Sequence, residues 1–209
     1  MTGCDKNTEW QLEWFIHNYQ KYNDTPLVIA DFGMTKEAYQ YAKKVSEYII
    51  NLDTVTAQGW MLKPQAMTMT PANETCWLDT DCEVLGNLDS IFYYAVPMKL
   101  SMCVDQPWTT RRKETWHNSG VVAFQGMPLV LRDWARVCQE KREIRGDQEV
   151  LQWMMGGDEL RRMTFIKDLP RKYNTLRLDI VDGTQPNNPL VMHWTGQKGN
   201  DEIRKKMKL

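Results

Sequence analysis

The sequence has few of the features that mark disulfide-bonded, membrane-spanning or nucleic-acid-binding proteins. Its five cysteines are an odd number without a Cys-x-x-Cys pair, which argues against a disulfide framework and against a zinc site. It has no apolar run as long as a membrane-spanning helix, and its first residues lack the pattern of a secretion signal. Because the sequence contains 26 basic and 27 acidic residues, its net charge does not indicate a nucleic-acid partner. We therefore expect a soluble cytoplasmic protein.

Two further absences bear on domain organisation and on nucleotide chemistry. The sequence has no internal repeat and no low-complexity linker, and 42% of its 209 residues are hydrophobic, which is enough for a sizeable core. We therefore predict one domain over residues 1–209. The N-terminal part also lacks a glycine-rich, basic loop of the kind that holds the phosphates of a nucleoside triphosphate.

Short apolar runs alternate with helical patterns along the chain. Residues 26–31 are a continuous apolar run typical of a buried parallel strand, and residues 35–44 predict a helix with Thr35 as its N-cap. Similar patterns predict helices at 8–22, 59–67, 129–141 and from 147, and strands at 76–78, 91–97, 100–104, 118–124 and 189–195. Residues 106–117 are polar and basic and predict a mobile loop, and a glycine turn and a basic tail are expected at the C-terminus. This order predicts an α/β fold with a mostly parallel central sheet.

The predicted strand at 76–78 runs into two carboxylates separated by one residue. In an extended backbone Asp79 and Asp81 would point to one side of the sheet and Thr80 to the other. Two neighbouring carboxylates repel each other unless a cation lies between them. Paired oxygen ligands suit Mg²⁺ or Mn²⁺, which complete their coordination with water and substrate phosphates. The stretch therefore predicts a divalent-metal site for a phosphorylated ligand.

Further motifs follow this acidic pair in a set order. They are Asn-Ser-Gly-Val at 118–121, Asp-Gln-Glu at 147–149, and His-Trp-Thr-Gly at 193–196 with Lys198 nearby. With these motifs the sequence resembles the GT-A glycosyltransferases, in particular family eight, which contains glycogenin and bacterial galactosyltransferases. The resemblance spans the chain from the turn at 5–7 to Lys198 and implies a Rossmann-like α/β/α sandwich. The compact size also resembles glycosyltransferase domains of large algal DNA viruses, which would act in the host cytoplasm.

The resemblance implies a metal site and a nucleotide site. In the family, the residues matching Asp79 and Asp81 hold Mn²⁺ or Mg²⁺ on the diphosphate of a nucleotide sugar, and His193 would be the third protein ligand. Imidazole favours Mn²⁺ at such a mixed site. The remaining implied positions are Asp5 and Asn7 at the base and ribose, Lys63 near the phosphates and sugar, and Gly196 and Lys198 at the phosphates. The family's lysine usually stands three residues after the glycine, whereas Lys198 stands two after Gly196.

The sugar-binding residues implied by the resemblance come from the second half of the chain and its border. Asp105, Asn118, Asp147 and Gln148 match positions around the transferred sugar, and Asp147 and Gln148 are the catalytic candidates. If the anomeric configuration is retained, these two would steady an oxocarbenium-like state. If it is inverted, Asp147 or Glu149 must act as general base. The predicted nucleotide-binding part is thus about 1–105 and the acceptor-side part about 106–209.

These features predict a metal-dependent glycosyltransferase that moves a hexose from a UDP-sugar, UDP-glucose or UDP-galactose, to a carbohydrate acceptor, with retention. Two alternatives stay open: a nucleotidyltransferase that uses the same acidic pair, and a non-catalytic carbohydrate-binding module with Ca²⁺ between the aspartates. Among the nine tryptophans, periodicity places Trp60, Trp77 and Trp153 in the core. Trp108 or Trp116 could stack on an acceptor sugar, because tryptophan offers a flat apolar face with one donor.

Overall fold

The computed structural model describes residues 1–52, 59–141 and 143–208. Its strands are β1 (Thr2–Cys4), β2 (Val28–Asp31), β3 (Tyr48–Asn51), β4 (Glu74–Leu78), β5 (Cys82–Val84), β6 (Leu100–Val104), β7 (His117–Gln125), β8 (Ile166–Leu169), β9 (Thr175–Leu176) and β10 (Val191–His193). Its α-helices are α1 (Leu12–Gln20), α2 (Lys36–Val45), α3 (Lys63–Thr68), α4 (Gln106–Arg112), α5 (Leu129–Glu140), α6 (Asp147–Met155), α7 (Glu159–Phe165), α8 (Arg177–Asp182) and α9 (Gly196–Met207). Short 3-10 helices span Glu9–Gln11, Gly59–Leu62, Asp89–Tyr94 and Arg171–Tyr173.

The central sheet has the strand order β3-β2-β1-β4-β7-β6-β8. Strands β1, β2 and β3 pair in parallel, and so do β6 and β8. Met1 joins β1 to β4, because its nitrogen donates to the Cys76 oxygen at 2.6 Å and its oxygen accepts from the Leu78 nitrogen at 2.9 Å, the pattern of a parallel pair. Strand β7 runs antiparallel to both β4 and β6. Of these strands β7 alone is reversed, which confirms the predicted mostly parallel sheet.

Side chains on the two sides of the central sheet belong to two separate hydrophobic cores. On β7, Val122 and Phe124 pack on the side of α3, α5 and α6, whereas Val121 and Ala123 face α1, α2 and α9. Strands covered on both sides need apolar residues at every position, which explains the continuous apolar runs of the sequence. The arrangement is the expected α/β/α sandwich.

A small second sheet connects the C-terminal part of the chain to the acidic turn. Strand β10 pairs antiparallel with β5, which places His193 opposite Cys82, and pairs in parallel with β9 on its other side. Beyond the ladder, the backbone nitrogen of Trp194 donates to the Asp81 oxygen at 3.0 Å. This pairing brings His193 next to Asp81.

Three of the predicted elements were wrong. The expected strand at 91–97 is instead the 3-10 helix Asp89–Tyr94, in which Ile91 is buried but Tyr93 is 85% exposed, so the run has one buried side only. The expected loop at 106–117 begins with α4, because Asp105 caps it by accepting from the Trp108 nitrogen at 3.0 Å and a proline occupies the first turn. The expected basic tail is the second half of α9.

The tryptophan assignments were partly correct. Trp77 is buried in the core, whereas Trp60 and Trp153 are 61% and 56% exposed. Trp60 instead anchors its indole at the surface by donating to the Arg145 oxygen at 3.0 Å. Within the part of the chain that the structure describes, no helix combines the length and the apolar character that crossing a membrane requires.

Candidate functional site

Two adjoining cavities lie at the carboxyl ends of β4 and β6, where open α/β sheets bind their ligands. The smaller cavity has a volume of about 340 Å³ and is lined by residues that include Asp5, Asn7, Asp79 and Asp81. The larger one has a volume of about 690 Å³ and is lined by residues that include Asp105, Asn118, Asp147, Gln148 and His193. Four residues line both cavities: Trp60, Lys63, Asp79 and Gly196. The cavities therefore form one cleft with two lobes.

Lys63 is the buried cation at the boundary between the two lobes. Its Nζ lies 3.1 Å from both carboxylate oxygens of Asp79, from the Ser119 hydroxyl and from Oδ2 of Asp147. Burial alone would lower the pKa of Lys63, but Asp147 and Asp79 outweigh burial and raise that pKa above its usual value. Lys63 therefore stays charged at neutral pH.

Asp147 is the first residue of α6, and its side chain is only 7% exposed. Although Lys63 opposes the effect, burial raises the pKa of the Asp147 carboxyl above its usual value. Its Oδ2 is close to the Lys63 ammonium but lies outside hydrogen-bonding geometry, so this buried oxygen has no hydrogen-bond donor. Asp147 thus lines the larger cavity with a carboxylate whose Oδ2 is buried against Lys63.

The two aspartates lie in a turn between β4 and β5 rather than in the extended backbone that we predicted. The Cys82 nitrogen closes this turn by donating to the Asp79 oxygen at 3.0 Å. Both carboxylates line the smaller cavity as expected, but Thr80 lines it too, and its hydroxyl donates to Oε1 of Gln11 at 2.8 Å. Asp79 also accepts from the Trp77 indole at 2.6 Å. The turn therefore presents two carboxylates to one lobe of the cleft.

His193 meets Asp81, with 3.1 Å between its Nε2 and Oδ1 of the carboxylate. Burial lowers the pKa of His193, but the carboxylates of Asp81 and Asp79 together outweigh burial, so the net shift is upward. Among the described residues, Asp81, Cys82 and His193 form the one cluster whose potential ligand atoms lie within 4.8 Å of one another. Burial raises the pKa of the Cys82 thiol well above its usual value, which keeps it protonated and unsuited to a hard cation.

The donor set fits a divalent cation. Carboxylate oxygens and an imidazole nitrogen are the donors that Mn²⁺ accepts, and Mg²⁺ is suited by the carboxylates. The acidic residues that line the two lobes, Asp5, Asp79, Asp81, Asp105, Asp147 and Glu149, outnumber the basic ones, Lys63, Arg112 and Arg145. Such an excess of negative charge in a cleft is relieved by a bound cation.

The predicted sugar-binding residues come together in the larger lobe. The Gln148 amide donates to Oδ2 of Asp105 at 3.1 Å and accepts from Nδ2 of Asn118 at 2.9 Å. Burial raises the pKa of the Asp105 carboxyl above its usual value, although its hydrogen bonds act in the opposite direction. Gln148 is therefore held at both ends of its amide, beside Asp147.

The remaining predicted residues divide into two groups. Asp5 and Asn7 form a closed turn in the smaller lobe, where Oδ1 of Asp5 accepts from the Asn7 nitrogen at 2.9 Å. Gly196 has a φ of 71°, begins α9 and lines both lobes. Lys198 lies exposed on α9 and is not part of the lining of either lobe. The structure therefore brings all of these residues except Lys198 to the cleft.

Sequence reasoning missed buried polar residues that support the site. Gln11 links Thr80 to Asn200, donating to Oδ1 of Asn200 at 2.8 Å. Ser119 contacts Lys63, and Asn174 contacts His193 at 3.0 Å. The only signal in the sequence was a polar residue next to a buried run, which is too common to single them out.

Gly120 lies directly beneath the His193 ring, so a Cβ at this position would overlap the imidazole. We expect Gly120→Ala to displace His193 from Asp81 and to abolish tight Mn²⁺ binding, measured by isothermal titration calorimetry. Gly157→Ala is the matched control, because Gly157 has a φ of 69° and open space around it, so its substitution strains only the backbone. Undiminished Mn²⁺ affinity in Gly120→Ala would contradict the proposed position of His193.

Comparisons with known proteins support the fold through structure. No protein-family model matches the sequence, and no curated protein matches it. An active-site mutant of LgtC matches 100% of this chain over 95% of its own length, with a TM-score of 0.65 and 12% identity. GlyE of Streptococcus pneumoniae TIGR4 has a TM-score of 0.70 and 16% identity, and mouse xyloside xylosyltransferase 1 has 0.54 and 11%.

The extent of these matches differs between the neighbours. The match with GlyE covers 94% of this chain but 54% of that protein, and the match with the mouse enzyme covers 92% and 95%. All three neighbours are glycosyltransferases, and at these identities the likeness shows the fold. The chain therefore has the GT-A fold of glycosyltransferases. Among them it resembles LgtC, which matches it over nearly the full length of both chains.

Proposed function

We propose that the protein is a metal-dependent glycosyltransferase that transfers a hexose from a UDP-sugar to a carbohydrate acceptor. The observation that carries this proposal is the meeting of Asp81 and His193, 3.1 Å apart, at the cleft of a GT-A fold. The fold alone would be compatible with many chemistries. The carboxylate and imidazole beside a two-lobed cleft are what a nucleotide sugar with its cation needs.

The smaller lobe suits the nucleotide. Asp5 and Asn7 offer a carboxylate and an amide to the base and ribose, and the first turn of α9 at Gly196 opens onto the same lobe. The N-terminus of a helix exposes unpaired backbone N–H groups, which favour a diphosphate. Most residues that line this lobe precede residue 106, and most that line the larger lobe follow it. This distribution supports a nucleotide-binding part at about 1–105 and an acceptor-side part at about 106–209.

Asp81 and His193 would hold Mn²⁺ or Mg²⁺. We propose Asp79 as a further ligand, although its carboxylate accepts from Lys63 and the Trp77 indole and lies outside the cluster that Asp81 and His193 form. When bound, the ion supplies positive charge to the leaving diphosphate. Lys63 adds a second positive charge at the boundary between the lobes, and its two carboxylate partners keep it in place. Fixed charges aimed at a leaving group are usually the largest contribution to such catalysis, because they need no reorganisation during the reaction.

The larger lobe suits the transferred hexose and the acceptor. Asp105, Asn118 and Gln148 line this lobe with carboxylate and amide groups, the kinds of group that bind sugar hydroxyls. Asp147 lines this lobe and would steady the positive charge that develops at the anomeric carbon. The Gln148 amide is held by Asn118 and Asp105, and because an amide is not a base it would only position the sugar. We propose retention, as the resemblance to family eight implies, with UDP-glucose or UDP-galactose as donor.

The aromatic residues of the larger lobe favour a carbohydrate acceptor. Trp108 lines this lobe, and Trp116 packs against it with 6.1 Å between the ring centroids. Trp60 is the most exposed tryptophan of the cleft and lines both lobes. Exposed indole faces next to polar groups are suited to stacking on sugar rings.

We further propose that the protein acts in the cytoplasm. All five cysteines are free thiols and buried. Free thiols persist in a reducing compartment, whereas oxidising compartments favour disulfides. The proposal is tested by the location of a fluorescent fusion protein.

The function is tested by incubating the protein with a panel of UDP-hexoses and Mn²⁺ and measuring the release of UDP. We expect slow hydrolysis of UDP-glucose or UDP-galactose that stops on addition of EDTA. We also expect Mn²⁺ and UDP together to raise the melting temperature more than either does alone. Release of pyrophosphate from a nucleoside triphosphate would instead indicate a nucleotidyltransferase. Sugar binding that requires Ca²⁺ and ignores nucleotides would indicate a carbohydrate-binding module.

A further inference from the structure

We propose that Asn174 is a positioning residue that fixes the proton of His193 on Nδ1 and thereby keeps Nε2 available to the cation. The inference rests on the proposed function, because it assumes that the cleft takes a divalent cation. Asn174 follows the 3-10 helix Arg171–Tyr173 and is 1% exposed, so solvent does not compete for its hydrogen bonds. It is not one of the family positions predicted from the sequence.

A chain of hydrogen bonds runs from the backbone N–H of Gly120 through Asn118 and Asn174 to His193. The Gly120 nitrogen can only donate, and it lies 3.0 Å from Oδ1 of Asn118. This contact settles which end of the Asn118 side-chain amide is the oxygen. On its other end, the Asn118 NH₂ group donates to Oε1 of Gln148 at 2.9 Å, which agrees with the same orientation.

The orientation of Asn118 determines that of Asn174. Oδ1 of Asn118 also lies 2.8 Å from the Asn174 amide, so the group of Asn174 that faces it must be the NH₂ donor. The oxygen of Asn174 therefore faces Nδ1 of His193 at 3.0 Å. An amide oxygen cannot donate, so Nδ1 must carry the proton.

With a proton held on Nδ1, Nε2 is the nitrogen that is bare when the His193 ring is neutral, and it can then give its lone pair to a cation. Nε2 lies 3.1 Å from Oδ1 of Asp81, and a lone pair facing a carboxylate oxygen is repulsive unless a proton or a cation lies between them. Histidines that bind metals are usually oriented in this way, by donating their other N–H to an acceptor of the protein. Asn174 would supply that acceptor and connect the cation site to the sugar-binding residues through Asn118.

The other buried histidine, His117, also directs its Nε2 at a carboxylate but lines neither lobe of the cleft, so it serves as an internal reference. Nε2 of His117 lies 2.8 Å from Oδ1 of Asp168 and 3.5 Å from Nη1 of Arg162, so the carboxylate is its nearer partner and accepts a hydrogen bond from Nε2. The sequence contains three histidines, and His17 is exposed on α1. The imidazole spectrum of the protein is therefore simple enough to distinguish the two buried rings.

The first test is a ¹H–¹⁵N spectrum of the histidine rings of the wild-type protein with saturating Mg²⁺ and UDP, assigned with His193→Gln. We expect His193 to carry a proton on Nδ1 and none on Nε2, and His117, whose Nε2 faces Asp168 outside the cleft, to keep a proton on Nε2. A His193 ring with a proton on Nε2 and a bare Nδ1 would overturn the proposal. This measurement needs no variant of Asn174. If the wild-type protein binds no divalent cation at all, the proposed function fails instead.

The second test compares variants by Mn²⁺ titration in the presence of UDP. We expect Asn174→Ala to weaken Mn²⁺ binding by about 10-fold to 100-fold, the usual effect of removing such an oriented partner. Asn174→Asp loses the donor to Asn118 but keeps an acceptor for Nδ1, and we expect it to restore most of the affinity. Unchanged affinity in Asn174→Ala, or equal losses in both variants, would overturn the proposal.

The matched control for these variants is Asn23→Ala. Asn23 is 4% exposed, donates to the Gly86 oxygen at 3.3 Å and accepts from the Leu88 nitrogen at 2.7 Å, far from the cleft. Its substitution should lower thermal stability as Asn174→Ala does, because each removes buried hydrogen bonds. We expect Mn²⁺ affinity to fall only in Asn174→Ala. A parallel fall in Asn23→Ala would show that the loss comes from general destabilisation, which would count against the proposal.

Discussion

Replacing Lys63 with methionine is expected to lower the free energy of unfolding by about 3–5 kcal/mol, the usual cost of leaving a buried charge unpaired. The Asp147 carboxylate, with 7% of its side chain exposed, would lose its cation in this variant. Asp79 contributes less, because 28% of its side chain is exposed and water screens its charge. The quantity to measure is the free energy of unfolding in urea.

The pH dependence of this loss distinguishes electrostatics from packing. Burial already raises the pKa of Asp147, and removal of Lys63 would raise it further. A carboxyl whose pKa is raised in the folded state costs stability above that pKa, and the cost disappears as the pH falls below it. The destabilisation by Lys63→Met should therefore be large at neutral pH and smaller at mildly acidic pH.

Two further variants act as controls for Lys63→Met. In the double variant Lys63→Met with Asp147→Asn, the buried charge is gone, and most of the lost stability should return. Lys205→Met removes an exposed lysine whose partner is Glu202, and the free energy of unfolding should stay unchanged. An equal loss of stability at all pH values, or no recovery in the double variant, would show that the cost is one of packing.

Replacing Asp81 with asparagine or His193 with glutamine is expected to lower UDP-sugar hydrolysis by about 10²–10³-fold, the effect of removing one group that stabilises charge in a transition state. Each change removes one of the two proposed metal ligands, Oδ1 of Asp81 and Nε2 of His193, which lie 3.1 Å apart at the cleft. Because Asp5 and Asn7 are untouched, binding of the uridine part should persist. The measurements are kcat for UDP release and the dissociation constants of Mn²⁺ and of uridine.

The controls for this prediction are residues of the same type away from the cleft. Asp201→Asn changes an exposed carboxylate on α9, and His17→Gln changes an exposed imidazole on α1. Both should keep wild-type hydrolysis. Full activity in Asp81→Asn and His193→Gln would contradict the proposed metal site, whereas loss of uridine binding as well would indicate damage to the smaller lobe.

The sequence was informative where local rules and tertiary structure agree. The apolar run that forms β2 and the cap of α2 at Thr35, which accepts from the Ala38 nitrogen at 3.3 Å, follow from local preferences. The order of the polar motifs also indicated which side chains share the cleft. Asp79, Asp81, Asp147 and His193 were all predicted to belong to one site, and the structure places them around it.

The parts that could not be predicted depend on contacts between distant segments. Periodicity indicates that two carboxylates share a side, but the tight turn at Asp79 and its pairing with Lys63 depend on how α3 packs. The role of Asn174 depends on the register between β9 and β10, which no local pattern encodes. The run at 91–97 was misassigned because hydrophobicity does not reveal whether a segment is covered on one side or on both.

The pairing of β10 with β5 brings together two proposed metal ligands that are far apart in the sequence, so a bound ion would lower the conformational entropy of the unfolded chain. Asp81 and His193 are 112 positions apart in the sequence (193 minus 81). The β5–β10 ladder that holds them together has three residue pairs. A cation bound to both side chains would close a very long loop, and loop-closure entropy makes such a link most effective against unfolding. The ion would then hold the C-terminal segment in place. Removal of the ion by a chelator should loosen β10 and α9 before the strands of the central sheet.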